Sequence, residues 1–212
     1  MKPTRLFVVV AALVVVVGCS SNGGPATAPP VTTTAAAGPK MLFIGSGITV
    51  GDRIADPLRN AWPRLVFTEA FPPGAIFVNA ATRQATFASA VNTQLPIAEN
   101  LHPDVAFVWL GTNDLYADLT AGEIENAAKA LLAGLRSAGA TRIYVGGMPN
   151  ITNSRLPTGT TNAAIRDAAA QAGATFVDLG GVRVAVESDG DVIPTKPVHR
   201  AVATEFEHAL TR

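Results

Sequence analysis

The 212-residue sequence is poor in charged residues, in aromatic rings and in the side chains that bind metals. Charged residues make up 15% and aromatic residues 6% of the chain, and 16 Lys and Arg balance 16 Asp and Glu. Nucleic-acid binding relies on a basic face or tail that releases counterions, and the chain has no run of Lys and Arg, so nucleic acid is excluded as a partner. The length fits one domain of ordinary size.

Cysteine and histidine are equally scarce. The single cysteine, Cys19, excludes a disulfide framework, a cysteine-rich zinc site and an iron–sulfur centre. The three histidines, His102, His199 and His208, leave little material for any other metal site. The sequence therefore predicts a protein without a metal or another cofactor.

Residues 1–18 have the pattern of an export signal. Lys2 and Arg5 precede an uncharged apolar run, 6–17, that is too short to span a bilayer stably. The run leads into V-V-G-C, which resembles the bacterial lipobox, whose cysteine is lipid-modified and begins the mature protein. We expect Cys19 to be acylated and to hold the protein on the outer face of a membrane, because its lipid chains exceed the two needed for stable anchoring. The alternative is a plain signal peptide with an incidental cysteine.

A Gly-, Pro-, Thr- and Ala-rich tract without charge occupies residues 20–39. Such a segment cannot bury enough surface to offset the entropy of ordering the chain. With Cys19 it is predicted to form a disordered linker, 19–39, which leaves residues 40–212 for the folded domain.

Short apolar runs then alternate with helical stretches. The runs are 41–44, 75–78, 105–110, 143–145 and 175–177. Their continuous apolarity is typical of parallel strands buried on both faces. Helices are expected at about 51–61, 84–99, 120–138, 160–172 and 197–211. The pattern predicts an α/β fold of three layers, with helices on both sides of a five-stranded parallel sheet.

Local signals mark some helix ends and the place of a site. Thr120 and Glu123 have the spacing of a capping box, and Gly139 and Gly173 stand where helices are expected to stop. Open parallel sheets bind ligands at the carboxyl ends of their strands, so the loops after the strands are expected to form the site.

Three of these loops resemble the SGNH (GDSL-like) hydrolases. Residues 43–51 read FIGSGITVG, close to the family's F-x-G-D-S-I-T-x-G, and residues 111–114 form an intact G-x-N-D block. Met148-Pro149 and the segments 162–165 and 176–179 also look like family segments. The resemblance spans nearly the whole domain and implies a flavodoxin-like fold and the site of a carboxylic ester hydrolase.

The chain departs from the family at its catalytic positions. The family's catalytic serine falls on Gly47 and the aspartate before it on Ser46. The catalytic histidine falls on Ile193, and the aspartate of the same block falls on Gly190, between Asp189 and Asp191.

The family's oxyanion hole is better kept. Its second block, N-x-G-x-x-G, falls on 79–84 and retains Asn79 but replaces both glycines, with Ala81 and Gln84. The oxyanion-hole asparagine is present as Asn113. The resemblance implies that the Asn113 amide and the backbone N–H groups of Gly47 and Ala81 retain part of this hole.

Acyl transfer by this route needs a hydroxyl nucleophile and an imidazole base, and neither Gly47 nor Ile193 supplies one. We expect a catalytically silent binding or assembly module for an envelope glycan, an acyl group or a protein. The alternative is a residual or rerouted esterase that uses Ser46. A solute-binding lipoprotein fits less well, because such proteins usually have two lobes.

No nearby serine or histidine is a strong candidate to replace the missing nucleophile and base. In an extended backbone Ser46 should point away from the side-chain position of residue 47, and His199 has the simpler interpretation of a helix residue with local hydrogen bonds. His102 is expected at the opposite edge of the sheet from Asn113, and His208 on a solvated helix face.

Paired carboxylates can hydrolyse glycosides, and four aspartates could lie near the strand ends: Asp52, Asp114, Asp189 and Asp191. The last three are explained as well by turns. Trp109 is expected in the core, whereas Trp62 could belong either to the core or to a sugar-stacking surface.

Overall fold

The apolar runs form the strands of a parallel sheet. The computed structural model describes residues 38–152, 156–186 and 192–212, all within one compact unit. The strands in the described residues are β1 (Lys40–Gly45), β2 (Ile76–Asn79), β3 (Val105–Trp109), β4 (Arg142–Gly146), β5 (Asn150–Ile151), β6 (Thr175–Val177), β7 (Arg183–Val186) and β8 (Val192–Ile193). The main sheet has the order β2-β1-β3-β4-β6 with all pairs parallel, which confirms the predicted five-stranded sheet of flavodoxin type.

The helices follow the strands and cover both faces of the sheet. They are α1 (Gly47–Val50), α2 (Pro57–Asn60), α3 (Trp62–Ala70), α4 (Phe87–Thr93), α5 (Leu95–Leu101), α6 (Thr112–Tyr116), α7 (Ala121–Ser137), α8 (Thr158–Gln171) and α9 (Lys196–Leu210). None of these helices, which belong to the described part of the chain, has the length and apolarity needed to cross a membrane.

Two apolar cores, one on each face of the sheet, explain why the strands read as unbroken apolar runs. Leu42 and Ile44 of β1 pack into the core formed with α4, α5, α7 and α8. Their neighbours Met41 and Phe43 pack into the opposite core with α3 and α9. All four side chains are fully buried, since successive side chains of a strand point to opposite faces.

The local signals at α7 are confirmed. The Thr120 hydroxyl accepts from the Glu123 backbone N–H (3.3 Å), and the Glu123 carboxylate accepts from the Thr120 N–H (2.8 Å). Gly139 and Gly173 follow α7 and α8 with φ of 109° and 61°, which explains glycine at both helix ends.

The prediction was wrong for the helix at 51–61. Gly51 ends the short α1 with a φ of 91°, and the backbone of Asp56 adopts a left-handed conformation. Only Pro57–Asn60 is therefore helical in that span. The main helix of this crossover is α3, which starts at Trp62 with Pro63 in its first turn.

The expected helix 84–99 is two helices that meet at Gln94. Pro96 lies in the first turn of α5, where its missing N–H leaves no helical bond unmade, but it prevents α4 from running through. The small sheet β5-β7-β8 and the single-turn α6 were not predicted, because segments of two to five residues carry no measurable periodicity.

Candidate functional site

A cleft of about 450 Å³ opens at the carboxyl ends of the central strands, where the topology predicts a site. Its walls come from the loops after β1, β2 and β3 and from the residue after β8. The lining residues are Ser46, Gly47, Ile48, Asp52, Arg53, Arg83, Gln84, Thr112, Asn113, Tyr116 and Pro194. The structure thus brings together three of the predicted site residues, Ser46, Gly47 and Asn113.

The loop after β1 is fixed from behind by a buried glutamine. Gln94 accepts from the Gly45 N–H (3.0 Å) and donates to the Gly45 carbonyl (2.9 Å) and to the Thr82 hydroxyl (3.1 Å). Because Gln94 is fully buried, water does not compete for these hydrogen bonds. Sequence reasoning missed Gln94, since nothing in its local sequence marks a glutamine that bonds across 49 positions.

Gly47 stands against a carboxylate. A Cβ added at this position would lie 2.7 Å from Asp52 Oδ2. Asp52 in turn accepts from Arg83 Nε at 2.9 and 2.8 Å and pairs with Arg83 Nη2 at 2.7 Å. The Asp52 carboxylate, which Arg83 holds, therefore lies against the face of Gly47 from which a side chain would project.

The loop after β2 reaches the cleft at a different residue from the one predicted. Asn79 donates to the Thr49 carbonyl (2.8 Å) and accepts from the Ala81 N–H (3.1 Å), so the predicted oxyanion donor of Ala81 is used within its own loop. Ala81 is not among the residues that line the cleft, whereas Gln84 is. Gln84 has a φ of 58°, a conformation that favours glycine. This positive φ explains why the family pattern has a glycine at the position of Gln84.

The loop after β3 carries Asn113 into the cleft on α6. Its Nδ2 donates one hydrogen to the Ala85 carbonyl (2.9 Å), which orients the amide. The next residue, Asp114, is buried and accepts from the Phe87 N–H at 3.0 and 3.3 Å at the start of α4. Burial raises the pKa of Asp114, against the lowering effect of the hydrogen bond from Phe87. Asp114 thus ties two loops together, a longer-range role than the local turn that the sequence predicted for it.

Comparison with known proteins agrees with this geometry. The family model described as GDSL-like lipase/acylhydrolase matches residues 43–199. The chain belongs to this family. No curated protein matched the sequence.

Several solved structures share the fold of this GDSL-like domain. TesA superposes with a TM-score of 0.66 at 18% identity, over 81% of this chain and 97% of that one. The psychrotrophic esterase EstA from Pseudoalteromonas sp. superposes with a TM-score of 0.64 at 14% identity, over 81% of this chain and 96% of that one. A mutant of Axe2, an acetyl-xylooligosaccharide esterase from Geobacillus, superposes with a TM-score of 0.66 at 18% identity, over 83% of this chain and 95% of that one.

Ile193, the residue predicted to stand at the position of the family histidine, lies next to a residue of the cleft. The backbone of Ile193 belongs to β8, paired with Ala185 of β7, and the next residue, Pro194, lines the cleft. Asp189, Gly190 and Asp191 lie outside the described residues, as do Cys19 and the predicted export signal.

His199, the fallback base, lies in the core behind the cleft. It is fully buried, and its Nδ1 accepts from the Trp62 N–H (3.1 Å) at the start of α3. An accepting Nδ1 places the ring proton on Nε2, which has no partner among the described residues. Burial lowers the pKa of His199 to about 4. In this state it stabilises a helix end and has no nitrogen available to take a proton from Ser46.

The remaining candidates are also structural. Trp62 is fully buried, stacks on Phe206 at 4.6 Å and donates from its indole to the Thr49 hydroxyl (3.3 Å), so it belongs to the core. Trp109 is buried as expected and bonds the Gly147 carbonyl (3.0 Å). His102 ends α5 before β3, on the side of the sheet away from the cleft, with its Nδ1 3.2 Å from a backbone carbonyl.

Within the described residues, no group of three or more His, Cys, Asp or Glu side chains could hold a metal ion. Asp52 pairs with an arginine, and Asp114 is buried beneath the loops. Among the described residues, the cleft therefore lacks the carboxylate pair that glycoside hydrolysis would need.

Proposed function

We propose that this GDSL-like domain is a catalytically silent binding module, exported and held at the cell envelope by a lipid on Cys19. The observation that carries the silence is at Gly47. Gly47 has no side-chain hydroxyl, it faces the carboxylate of Asp52, and no histidine is among the described residues that line the cleft. Ester hydrolysis needs a hydroxyl and a base within hydrogen-bond reach of each other.

The cleft nevertheless keeps groups that bind. The amide of Asn113, the amide of Gln84 and the guanidinium of Arg83 line one opening. Hydrogen-bond donors collected in a shaped cleft bind a carbonyl, hydroxyl or anionic group without transforming it. These groups support a role in recognising an envelope glycan, an acyl group or a protein partner.

Anchoring rests on the sequence alone. A short charged segment, the apolar run 6–17 and the V-V-G-C motif support export followed by acylation of Cys19. The linker, 19–39, would then separate the domain from the membrane.

One observation favours a second function, that of a rerouted esterase. Ser46 lines the cleft beside Gly47 and on the same opening as Asn113. A hydroxyl at that place would act as a nucleophile if a base reached it from a part of the chain outside the described residues.

Serine-directed labelling separates the two functions. We expect the protein to react neither with a fluorophosphonate probe nor with p-nitrophenyl acetate above the rate of Ser46→Ala, because no histidine lines the cleft among the described residues. Labelling that disappears in Ser46→Ala would refute the silent module and establish the esterase. The assay is run over pH 6 to 9 so that a base of unusual pKa is not missed.

Rebuilding the catalytic groups tests the alignment of the site. We expect Gly47→Ser, Ile193→His and Gly190→Asp, combined with Asp52→Ala to remove the overlap at position 47, to hydrolyse p-nitrophenyl acetate. A positioned general base contributes on the order of 10²-fold or more. The control carries the same changes but keeps Gly47. Equal rates in the two proteins would show that Gly47 or Ile193 does not occupy the family's catalytic position.

A further inference from the structure

A second cavity, of about 550 Å³, lies at the opposite edge of the sheet from the cleft. It opens between the last turns of α3 and α9 and the amino ends of β1 and β4, where Pro39 and Arg142 line it. Its volume falls in the usual range for a small ligand. No residue that lines this cavity also lines the cleft, so the cavity can bind a ligand independently of Ser46 and Gly47.

The strand β4 directs Arg142 towards this cavity. Alternate side chains of a strand share a face, and Tyr144, two residues further along β4, packs in the core with α3 and α9. Val105, which pairs with Arg142 on β3, belongs to the same core. Arg142 therefore continues this face at the edge of the sheet, where it is exposed. In the described part of the chain, its guanidinium has neither an ion pair nor a hydrogen bond.

Glu207, in the last turn of α9, supplies a carboxylate to the same cavity. Its Oε1 is buried and has no hydrogen-bond partner among the described residues. Burial raises the pKa of Glu207, and so does the nearby carboxylate of Glu69, against the lowering effects of Arg200 and His208. The carboxyl end of a helix also carries a partial negative charge. An ammonium group at this place would give Glu207 the partner that it lacks.

The cavity has one unpaired charge of each sign. The charged residues that line it are Glu69, Arg142 and Glu207. Glu69 pairs with Arg200, which leaves the carboxylate of Glu207 and the guanidinium of Arg142. Because these two groups do not pair with each other, a ligand that carries both an ammonium and a carboxylate would pair with both.

The remaining wall of the cavity is largely apolar. Phe71, Pro72 and Leu210 line it, and Phe71 and Leu210 are partly buried against the core of that face. An aliphatic group that packs on this wall gains roughly 25 cal/mol for each Å² removed from water. The cavity thus suits a small zwitterion with an aliphatic side chain.

We propose that this cavity binds a free aliphatic amino acid, with its ammonium on Glu207, its carboxylate on Arg142 and its side chain against Phe71 and Leu210. This binding site goes beyond the proposed function, because it lies away from the cleft and involves no hydrolysis.

Binding is measured by NMR titration of the full-length protein with three probes. They are leucine, N-acetylleucine, which lacks the ammonium, and leucinamide, which lacks the carboxylate. Leucine should bind at least about tenfold more tightly than N-acetylleucine, as expected for a hydrogen bond to a partly buried charge. It should bind about threefold more tightly than leucinamide, because Arg142 is exposed and solvent weakens its pairing.

Two variants locate the site. Glu207→Gln should lower the affinity for leucine at least about tenfold and leave that for N-acetylleucine unchanged. Arg142→Gln should lower the affinity for leucine about threefold and leave that for leucinamide unchanged. The matched controls are Glu205→Gln, on the same helix, and Arg183→Gln, at the start of β7, since neither residue lines the cavity. Both should bind leucine like the unaltered protein.

The two analogues also separate a free amino acid from the end of a peptide. Leucinamide resembles the first residue of a peptide and N-acetylleucine the last, so an analogue that binds as tightly as leucine would overturn the assignment. Absence of leucine binding at millimolar concentration, or an affinity for leucine that neither Glu207→Gln nor Arg142→Gln changes, would overturn it as well. None of these results bears on the silent module, which is tested separately by labelling at the cleft.

Discussion

Gly45→Ala is expected to destabilise the domain by about 3 kcal/mol, at the upper end of the cost of forcing a group into a packed core. A Cβ at Gly45 would lie 2.1 Å from Thr49 Oγ1 and 2.5 Å from Thr49 Cβ. Both residues are buried, and Thr49 is held by the indole of Trp62 and, through its carbonyl, by Asn79. Neither side of the contact can move without breaking those bonds.

The measurement is equilibrium unfolding in urea, with the free energy of unfolding taken by linear extrapolation. Gly122→Ala is the control, because a Cβ there meets nothing within 4 Å and Gly122 lies on the exposed side of α7. It should leave stability unchanged or raise it by up to about 1 kcal/mol. A Gly45→Ala protein as stable as this control would disprove the packing of the loop that carries Ser46 and Gly47.

Acidification is expected to destabilise the domain through His199. Its pKa is lowered to about 4 by burial, below the value of 6.5 for the unfolded chain. Above pH 6.5 the imidazole is neutral in both states and its contribution is fully present. Between pH 6.5 and 4 only the unfolded chain takes up the proton, so stability is lost as the pH falls. The loss reaches about 3 kcal/mol near pH 4, at about 1.4 kcal/mol for each unit.

His199→Asn isolates this effect. The asparagine keeps an acceptor near the Trp62 N–H but does not titrate, so its free energy of unfolding should fall less between pH 7 and 4. His208→Asn, at an exposed histidine, should follow the curve of the unaltered protein. Asp114 opposes the trend, since its raised pKa gives stability at low pH that is lost as the pH rises. Asp114 is common to all three proteins, so their difference curves report His199. Parallel curves for His199→Asn and the unaltered protein would contradict its burial in the neutral state.

The predicted sheet was confirmed because a parallel strand buried on both faces needs an unbroken run of apolar residues, which the sequence shows directly. Leu42 and Met41 contact opposite cores, yet both must be apolar. The helix predicted at 51–61, between β1 and β2, was wrong because its limits depend on the folded structure and not on the apolar pattern. Whether residues 51–61 or 62–70 form the main helix depends on the left-handed turns at Gly51 and Asp56 and on the burial of Trp62, and the last of these is a tertiary property.

The site could be predicted in part. Gly47 and Asn113 follow strands whose carboxyl ends must meet, so their shared opening follows from the strand order. The sequence predicted Ala81 and not Gln84 in the site. Only the folded structure shows that the Ala81 N–H bonds the Asn79 side chain and that Gln84 adopts a positive φ. Trp62 was open between the core and a sugar-stacking surface, and the local hydrogen bonds predicted for His199 were wrong, because its Nδ1 bonds the Trp62 N–H 137 positions away.

The sequence by itself determined the fold class and gave the prediction of a silent site. Apolar patterning is a property of neighbours along the chain, and Gly47 lacks a nucleophile in any conformation. Only the tertiary structure decided what lies against Gly47. The Asp52–Arg83 pair joins two loops that are 31 residues apart, and no local pattern records which carboxylate a folded chain presents to which guanidinium.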